Sequence, residues 1–324
     1  MSRKLFAILL ACVMLIGVIG CAQAPAPAAE AAPATEAAAT EAPAAEEAKQ
    51  IVIGASMGQE TPFYKLISDN LEAKATELGA KVIILNANND SEKQLDDVDN
   101  LIAQQVDVIV LSPVDADSVN SALQAAKAAG IPVIETISAT SDESFDIFVG
   151  TQEYDAGAMQ AAWLVENCGE TGKLCILMGP AGQTPSIKRY EGLTENLPAG
   201  WEIVAEQHAD WARDKGMSIT EDWLNIYTDI TAIMAQNDEM ALGAAQACAT
   251  TGRTDIAIGG VDGLEDACAA IVDGTMSMSV YQDGATMGQR CAEFAVGLAN
   301  GETFDKFCYV PFIPITASNV ADFQ

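Results

Sequence analysis

The sequence predicts an α/β protein of two lobes, each built on a doubly wound parallel sheet. From Ile51 onwards, short apolar runs alternate with stretches of helical periodicity, which is typical of β-α-β units. This alternation restarts in the second half of the chain, which indicates a second sheet. A chain of 324 residues is long enough to give each lobe its own core. Two sheets in one chain imply a cleft between them.

The predicted elements follow one another in regular order. In the first lobe we expect strands at residues 51–55, 81–86, 106–111 and 131–136, with helices near 63–78, 91–105 and 114–129. In the second lobe we expect helices at 155–168 and 186–197, and strands at 173–178, 202–207, 231–235, 256–261 and 276–282. Parallel neighbours require right-handed crossovers, which the intervening helices supply.

Residues 1–21 have the pattern of an export signal. Arg3 and Lys4 form a short basic region, and residues 5–19 are almost wholly apolar but too short for a comfortable membrane span. The sequence Val-Ile-Gly-Cys at 18–21 resembles a bacterial lipoprotein signal, which implies lipid on Cys21. The alternative is an ordinary secretory signal with an incidental cysteine. We expect an extracytoplasmic protein anchored to the cell membrane.

Residues 22–48 consist almost only of Ala, Pro, Glu and Thr. Such a segment cannot form a core, so it is expected to be a disordered, acidic tether. The formal net charge of the chain is −30, which repels phosphate backbones and argues against nucleic-acid binding.

Asn237 stands where a buried strand gives way to a helix. Ligands of open α/β sheets bind outside the carboxyl ends of the strands. The Asn237 side chain carries donors and an acceptor on one planar group, as a hydroxylated ligand requires. The alternative is that Asn237 and Asp238 only cap the helix.

Other strand ends carry chemistry that suits a sugar. Phe63 and Tyr64 follow the first strand, and Trp211 follows a strand of the second lobe; aromatic rings can lie against the C–H face of a sugar. Asp262 lies between glycines, and an ionised carboxylate accepts two vicinal hydroxyls. The alternatives are a hydrophobic staple for the ring pair, a core position for Trp211 and a helix cap for Asp262.

The stretch from Ala235 to Ala244, together with the motif at Asp262, resembles the ribose-binding branch of the periplasmic sugar-binding proteins, the solute receptors of bacterial ABC importers. The resemblance covers about residues 50–320. It implies a type I periplasmic binding protein fold with a three-crossing hinge, an N-terminal lobe of residues 49–151 plus 283–313, and a C-terminal lobe of 152–282 plus 314–324. The ligand contacts it implies are Phe63, Tyr64, Ser112, Trp211, Asn237, Asp262 and Gln282, with Ser56, Ile137 and Ile187 as further lining.

The sequence departs from the family at charged ligand contacts. Ile137 and Ser138 stand where the family has an Asp-Arg pair, and Ile187 stands where it has an arginine. Arg189 belongs to an Arg-x-x-Gly motif that is expected to be structural. We therefore expect a ligand with fewer hydroxyls to satisfy or with an apolar face.

Six cysteines follow the tether. The simplest pairing is sequential, and the alternative is six buried free thiols. The candidate disulfides are Cys168–Cys175, Cys248–Cys268 and Cys291–Cys308. The chain has no Cys-x-x-Cys pair or Cys/His cluster, so neither a metal nor a cofactor is expected.

The sequence carries no nucleophile elbow or phosphate-cradling loop, so an enzyme is not expected. The resemblance implies a monomeric receptor that closes on a sugar or polyol-like solute and delivers it to an ABC permease with its ATPase. The alternative function is a ligand-sensing receptor coupled to a membrane kinase or chemoreceptor.

Overall fold

The computed structural model describes residues 49–324. The predicted signal segment with Cys21 and the predicted tether lie outside the described residues. None of the helices within 49–324 is both long enough and apolar enough to cross a membrane.

The predicted fold class is confirmed, because the described strands form two separate sheets of six strands each. The first part of the chain gives β1 (Val52–Met57), α1 (Pro62–Glu77), β2 (Lys81–Asn86), α2 (Ser91–Ala103), β3 (Val108–Leu111), α3 (Asn120–Ala128), β4 (Val133–Thr136) and β5 (Ile147–Gly150). The middle part gives α4 (Glu153–Cys168), β6 (Thr171–Met178), α5 (Thr184–Asn196), β7 (Gly200–His208), α6 (Arg213–Ile226), β8 (Ala232–Ala235), α7 (Asp238–Thr251), β9 (Ala257–Gly259), α8 (Glu265–Val272) and β10 (Met278–Tyr281). The last part gives α9 (Gly284–Ala299), β11 (Phe307–Tyr309), β12 (Ile313–Thr316) and a 3₁₀ turn at Val320–Phe323.

The first sheet has the order β11-β5-β4-β3-β1-β2, and the second has β12-β10-β9-β8-β6-β7. We call each sheet with its helices the first and the second lobe. All pairs are parallel except β10 with β12, which are antiparallel. The chain passes between the lobes after β5, after β10 and after β11. Each sheet buries apolar side chains on both faces, as a parallel sheet covered by helices must.

Two short strands, β5 and β12, are absent from the predicted elements, whereas β11 contains Cys308, near which a strand after the last long helix is expected. β5 and β12 have only four residues each, so their own sequence gives little periodic signal. β12 also contains Pro314, which argues against a strand but is tolerated at a sheet edge. Their positions are set by pairing with distant strands.

The predicted helix at 114–129 begins six residues late, at Asn120. The Asp115 carboxylate accepts hydrogen bonds from the backbone N–H groups of Asp117 at 2.9 Å and Ser118 at 2.8 Å. This turn competes with the helix for the same backbone donors. It leaves the Ala116 N–H free to reach Gly182 O in the second lobe, at 3.1 Å.

The predicted disulfide pairing is wrong in this structure, because all six cysteines within 49–324 are free thiols. Cys168 and Cys175 pack into clusters on opposite faces of the second sheet, so their sulfurs point apart. Cys248 and Cys268 share one core cluster, and Cys291 and Cys308 share another. In these clusters the thiols pack as small apolar groups. The alternative reading of the cysteines is therefore the one that the structure shows.

Candidate ligand-binding site

Side chains at the strand ends of both lobes line one cavity. Thr61, Phe63, Tyr64 and Ile137 come from the first lobe, and Gln183, Pro185, Arg189, Trp211, Asn237 and Asp262 come from the second. The space between them, counted with some open solvent, is about 310 Å³.

The first-lobe wall is aromatic. Thr61 caps α1 and Pro62 opens it, which places Phe63 and Tyr64 in the first turn. Both rings pack in the core of the first lobe and line the cavity, so the staple-like and the ligand-facing readings both apply. The Tyr64 hydroxyl lies near Ser112 and Gln59, and burial raises the pKa of Tyr64. Tyr64 is therefore neutral and can donate or accept a hydrogen bond.

Trp211 forms the opposite wall. Its indole Nε1 donates to Gln183 Oε1 at 2.8 Å, which fixes the ring plane and brings Gln183 into the lining. A Cβ on Gly179 would lie 2.1 Å from this ring, so only glycine leaves room for the indole here. Trp211 belongs to the core of the second lobe and also lines the cavity. Aromatic side chains from the two lobes can pack against the faces of a flat, ring-shaped ligand.

Asn237 both caps α7 and lines the cavity, so the two alternatives that the sequence leaves open apply together. Its Oδ1 accepts a hydrogen bond from Met240 N at 3.0 Å as the cap of α7, and its Nδ2 donates to Trp211 O at 3.3 Å. Each group has hydrogen-bonding capacity left over. Because Asn237 lines the cavity, its amide is held by these two bonds at the cavity wall.

Asp262 lines the cavity at the end of β9. Burial, and then the charge of nearby Asp238, raise the pKa of Asp262 well above its ordinary value. Asp238 itself accepts hydrogen bonds from Ser279 Oγ at 2.6 Å and Leu264 N at 2.8 Å. A Cβ on Gly260 would lie 2.2 Å from Asp238 Oδ1, so this glycine lets the two strand ends approach.

Arg189 is the cavity residue that sequence reasoning placed in a structural role only. Its Nε donates to Glu153 Oε2 at 2.6 Å, an NH1 group donates to Gln236 O, and NH2 donates to Gln282 Oε1 at 3.0 Å. The guanidinium also lies 5.7 Å from the Trp211 ring centroid. Arg189 thus both lines the cavity and, through its contacts, stabilises the second-lobe residues around it.

Ile187 does not line the cavity and is 43% exposed. Each residue of an α-helix turns by about 100°, so Ile187 points away from the side of α5 that buries Pro185 and Arg189. The positive charge expected to be absent at Ile187 is present two residues later, at Arg189. The four-residue spacing of Pro185 and Arg189, which places them on the same side of a helix, is the sequence pattern that could have indicated the cavity position of Arg189.

Three other predicted residues are buried but lie outside the lining. Ser56 and Ser112 lie behind Tyr64 in the first lobe, where Gln94 Nε2 donates to Ser112 O at 2.9 Å. Gln282 lies behind Arg189 and donates to Thr151 Oγ1 at 2.9 Å. The structure therefore brings together six predicted residues, namely Phe63, Tyr64, Ile137, Trp211, Asn237 and Asp262.

Three lining residues have an unusual backbone. Ile137, Trp211 and Asp262 have positive φ angles of 66°, 63° and 128°. Positive φ is costly for non-glycine residues, and most of all for a β-branched one such as Ile137. Strain of this kind persists where the surrounding structure holds it, and it concentrates at functional sites.

The lobes are hydrogen-bonded to each other at the edge of the cavity. Thr184 Oγ1 donates to Ala139 O at 2.8 Å, and Gln183 Nε2 donates to Asn89 Oδ1 at 3.3 Å. The second-lobe partners lie at the start of α5, close to the lining residues Pro185 and Arg189. The hydrogen bonds that join the lobes therefore lie beside the cavity.

No group of three or more His, Cys, Asp or Glu side chains suited to a metal ion occurs within residues 49–324. The groups that the cavity offers are aromatic faces, amides, one carboxyl and one guanidinium. They can bind and orient a polar ring.

The Arg189–Glu153 pair can be tested by unfolding. We expect Arg189→Ala to lower the free energy of unfolding by about 3–5 kcal/mol, because it leaves a buried carboxylate unpaired. The double variant Glu153→Gln with Arg189→Met should regain part of this loss. Urea denaturation of the three proteins measures both effects. A loss below about 1 kcal/mol for Arg189→Ala would contradict the structural role.

The protonation of Glu135 is expected to make the free energy of unfolding depend on pH. Thr140 donates to its carboxyl from N at 2.9 Å and Oγ1 at 2.8 Å, and burial raises the pKa of Glu135 to about 7. Because the folded pKa exceeds the unfolded one, this stability is fully present below the ordinary pKa of 4.5 and is lost as the pH rises through about 7.

Glu135→Gln should therefore reduce the difference in unfolding free energy between about pH 5 and pH 8, measured by urea denaturation. The exposed Glu166→Gln serves as the control. The same pH dependence in Glu135→Gln and the unmodified protein would show that Glu135 does not titrate in this way.

Comparison with known proteins places this architecture in a family. Residues 51–303 match the periplasmic binding protein domain family. The ribose import binding protein RbsB of Bacillus subtilis (strain 168) is 33% identical over 264 residues, which cover 81% of this chain and 86% of that protein. A putative rhizopine-binding protein of Rhizobium meliloti is 34% identical over 284 residues, covering 84% of this chain and 92% of that protein.

A solved structure agrees with the same assignment. The crystal structure of an ABC transporter solute binding protein from Bacillus halodurans C-125 with bound myo-inositol has a TM-score of 0.82 and 31% identity. The match covers 85% of this chain and 97% of that chain. Proteins of this family are solute-binding components of transporters and not enzymes. The chain belongs to the periplasmic binding protein domain family and, within it, to the ribose-binding-like sugar-binding proteins.

Proposed function

We propose that this protein is an extracytoplasmic, lipid-anchored receptor that captures a sugar or a polyol-like solute and delivers it to an ABC permease. The observation that carries the proposal is the single cavity lined by aromatic and hydrogen-bonding side chains from both lobes. A ligand that touches both walls favours the closed state, because only that state offers all of the contacts.

The chemistry of the lining supports a polyhydroxylated ring as the ligand. Phe63, Tyr64 and Trp211 offer flat apolar faces to C–H groups, while Asn237 and Asp262 offer hydrogen-bonding groups to hydroxyls. The relatives point the same way, since one is a ribose import binding protein and one was crystallised with myo-inositol. We assign direct ligand contact to these five residues, with Gln183, Arg189 and Ile137 completing the shape.

Closure of the lobes is the proposed working motion. We assign residues 49–151 plus 283–313 to the N-terminal lobe and 152–282 plus 314–324 to the C-terminal lobe. The ligand binds the second-lobe wall first, because that lobe supplies six of the ten lining residues. The first lobe then closes, water leaves the cavity, and the bonds from Thr184 to Ala139 and from Ala116 to Gly182 form.

The link to the membrane rests on the first 48 residues. Lipid on Cys21 would hold the protein at the extracytoplasmic face of the cell membrane, and residues 22–48 would act as the tether. A monomer on a tether can present the closed form to a permease that lies in the same membrane.

Ligand binding can be tested by calorimetry with the domain at residues 49–324 and a panel of pentoses, hexoses and inositols. At least one should bind, and Trp211→Ala should weaken its binding by about tenfold or more, because a full ring face is lost. Trp163→Ala is the matched control, since Trp163 lies outside the cavity lining in the same lobe. Binding of no member of the panel would contradict the proposed ligand class.

Membrane attachment can be tested with the full chain expressed in a bacterial host. The unmodified protein should appear in the membrane fraction, and Cys21→Ser should release it, since lipid on a cysteine is the proposed anchor. Ala22→Ser, at the next residue, is the control and should stay with the membrane. Equal distribution of the Cys21→Ser variant and the unmodified protein would contradict lipidation.

A further inference from the structure

Buried acidic groups outnumber buried basic groups around the cavity. Arg189 is the only cationic residue among the lining residues of the described chain. Near it lie Glu153, Asp238 and Asp262, and all four side chains are buried. The pKa of each aspartate is shifted upward, and Arg189 acts on both in the opposite direction. These four groups therefore act on one another electrostatically.

The charge of Arg189 is already neutralised. Its Nε pairs with Glu153 at 2.6 Å, and its two other nitrogens donate to Gln236 O and Gln282 Oε1. Within residues 49–324, no salt bridge involves Asp238 or Asp262. The two aspartates thus represent up to two uncompensated negative charges at a site that closes against water.

Asp262 is the group that faces the ligand. It is 5% exposed and lines the cavity. Among the described residues, no side chain donates a hydrogen bond to its carboxyl, and the backbone N–H of Asp238 is the one donor that approaches it. Burying a carboxylate without a counter-charge is costly, so such a group takes up a proton or pairs with a cation.

We propose, on the basis of the proposed function, that the preferred solute carries an ammonium group beside its hydroxyls, and that this ammonium pairs with Asp262. The chemical class is an amino sugar or an amino polyol. The ring faces of Phe63, Tyr64 and Trp211 can also attract a cation. The formal net charge of −30 raises the local concentration of cations around the protein.

The proton balance of this step is defined. In the empty cavity, burial and the neighbouring Asp238 favour the protonated form of Asp262. When an ammonium group binds, the Asp262 O–H bond breaks, the proton passes to the buffer, and the carboxylate pairs with the ammonium. A neutral polyol brings no positive charge to replace the proton on Asp262. Binding of an amine should therefore release a proton, and binding of its neutral counterpart should not.

The experiment compares matched pairs of neutral and amino ligands by isothermal titration calorimetry at about pH 5, where an aspartate with an ordinary pKa is ionised and one with a raised pKa still holds its proton. The pairs are D-glucose with D-glucosamine, D-galactose with D-galactosamine, and myo-inositol with an amino-deoxy-inositol. In at least one pair, the amine should bind about tenfold or more tightly than its neutral counterpart. Titrations in two buffers with different ionisation enthalpies measure the protons released.

Asp262→Asn keeps the shape of the side chain and removes its charge, so it should reduce the amine preference to about threefold or less. Asp273→Asn, an exposed position on the second lobe, removes the same charge and should leave the preference intact. If Asp262→Asn does not fold, the proton count of the unmodified protein decides the question.

Each outcome distinguishes this inference from the proposed function. Equal or tighter binding of every neutral member overturns the inference and leaves the sugar-receptor function standing. An amine preference that survives in Asp262→Asn removes Asp262 as the partner. Failure of all members to bind contradicts the proposed function itself.

Discussion

One buried guanidinium connects the crossings between the lobes of this protein to the strand ends that line the cavity. Arg189 reaches Glu153, which follows the crossing after β5, and Gln282, which lies in the crossing after β10. It also reaches the carbonyl of Gln236, the neighbour of Asn237. Because a buried arginine must keep its partners, these three segments cannot move independently. The second-lobe residues that line the cavity are thereby fixed in position relative to two of the three crossings between the lobes.

The cavity-lining residues on this framework are rigid for identifiable reasons. Asn237 is held by the α7 backbone, and Trp211 is held by Gln183 and by the space above Gly179. The positive φ angles of Ile137, Trp211 and Asp262 show that the loops adopt these shapes at an energetic cost. The favourable packing of the two lobe cores offsets this energetic cost. A preorganised wall loses less freedom when a ligand binds, which favours affinity.

Residues at the start of α5 contribute both to the contact between the lobes and to the wall of the cavity. The same few residues bond to the first lobe through Thr184, orient Trp211 through Gln183 and place Arg189 in the lining. A solute that shifts this segment changes the lobe contacts as well as its own contacts. In the proposed amine selectivity, the charge of the cavity is a second criterion, since a positive charge on the solute offsets the burial of Asp262.

The sequence by itself determined the two-lobe α/β architecture, because the periodicity of apolar residues is a local property that survives without any contact. It also placed Phe63, Tyr64, Trp211, Asn237 and Asp262 at strand ends, since the fold class dictates where such residues point. Only the tertiary structure decided which of the expected contacts reach the cavity. Ser112 and Gln282 are covered by Tyr64 and Arg189, and Ile187 lies on the outer side of its helix.

The short strands, the free thiols and the role of Arg189 were likewise decided by long-range packing. β12 exists because β10 pairs with it, and Cys168 cannot meet Cys175 because the sheet separates them. Arg189 gains its role from partners 36, 47 and 93 residues away along the chain. Local sequence patterns report the conformation of neighbouring residues. They do not report which distant groups a buried charge will find, and that is why the site required the structure.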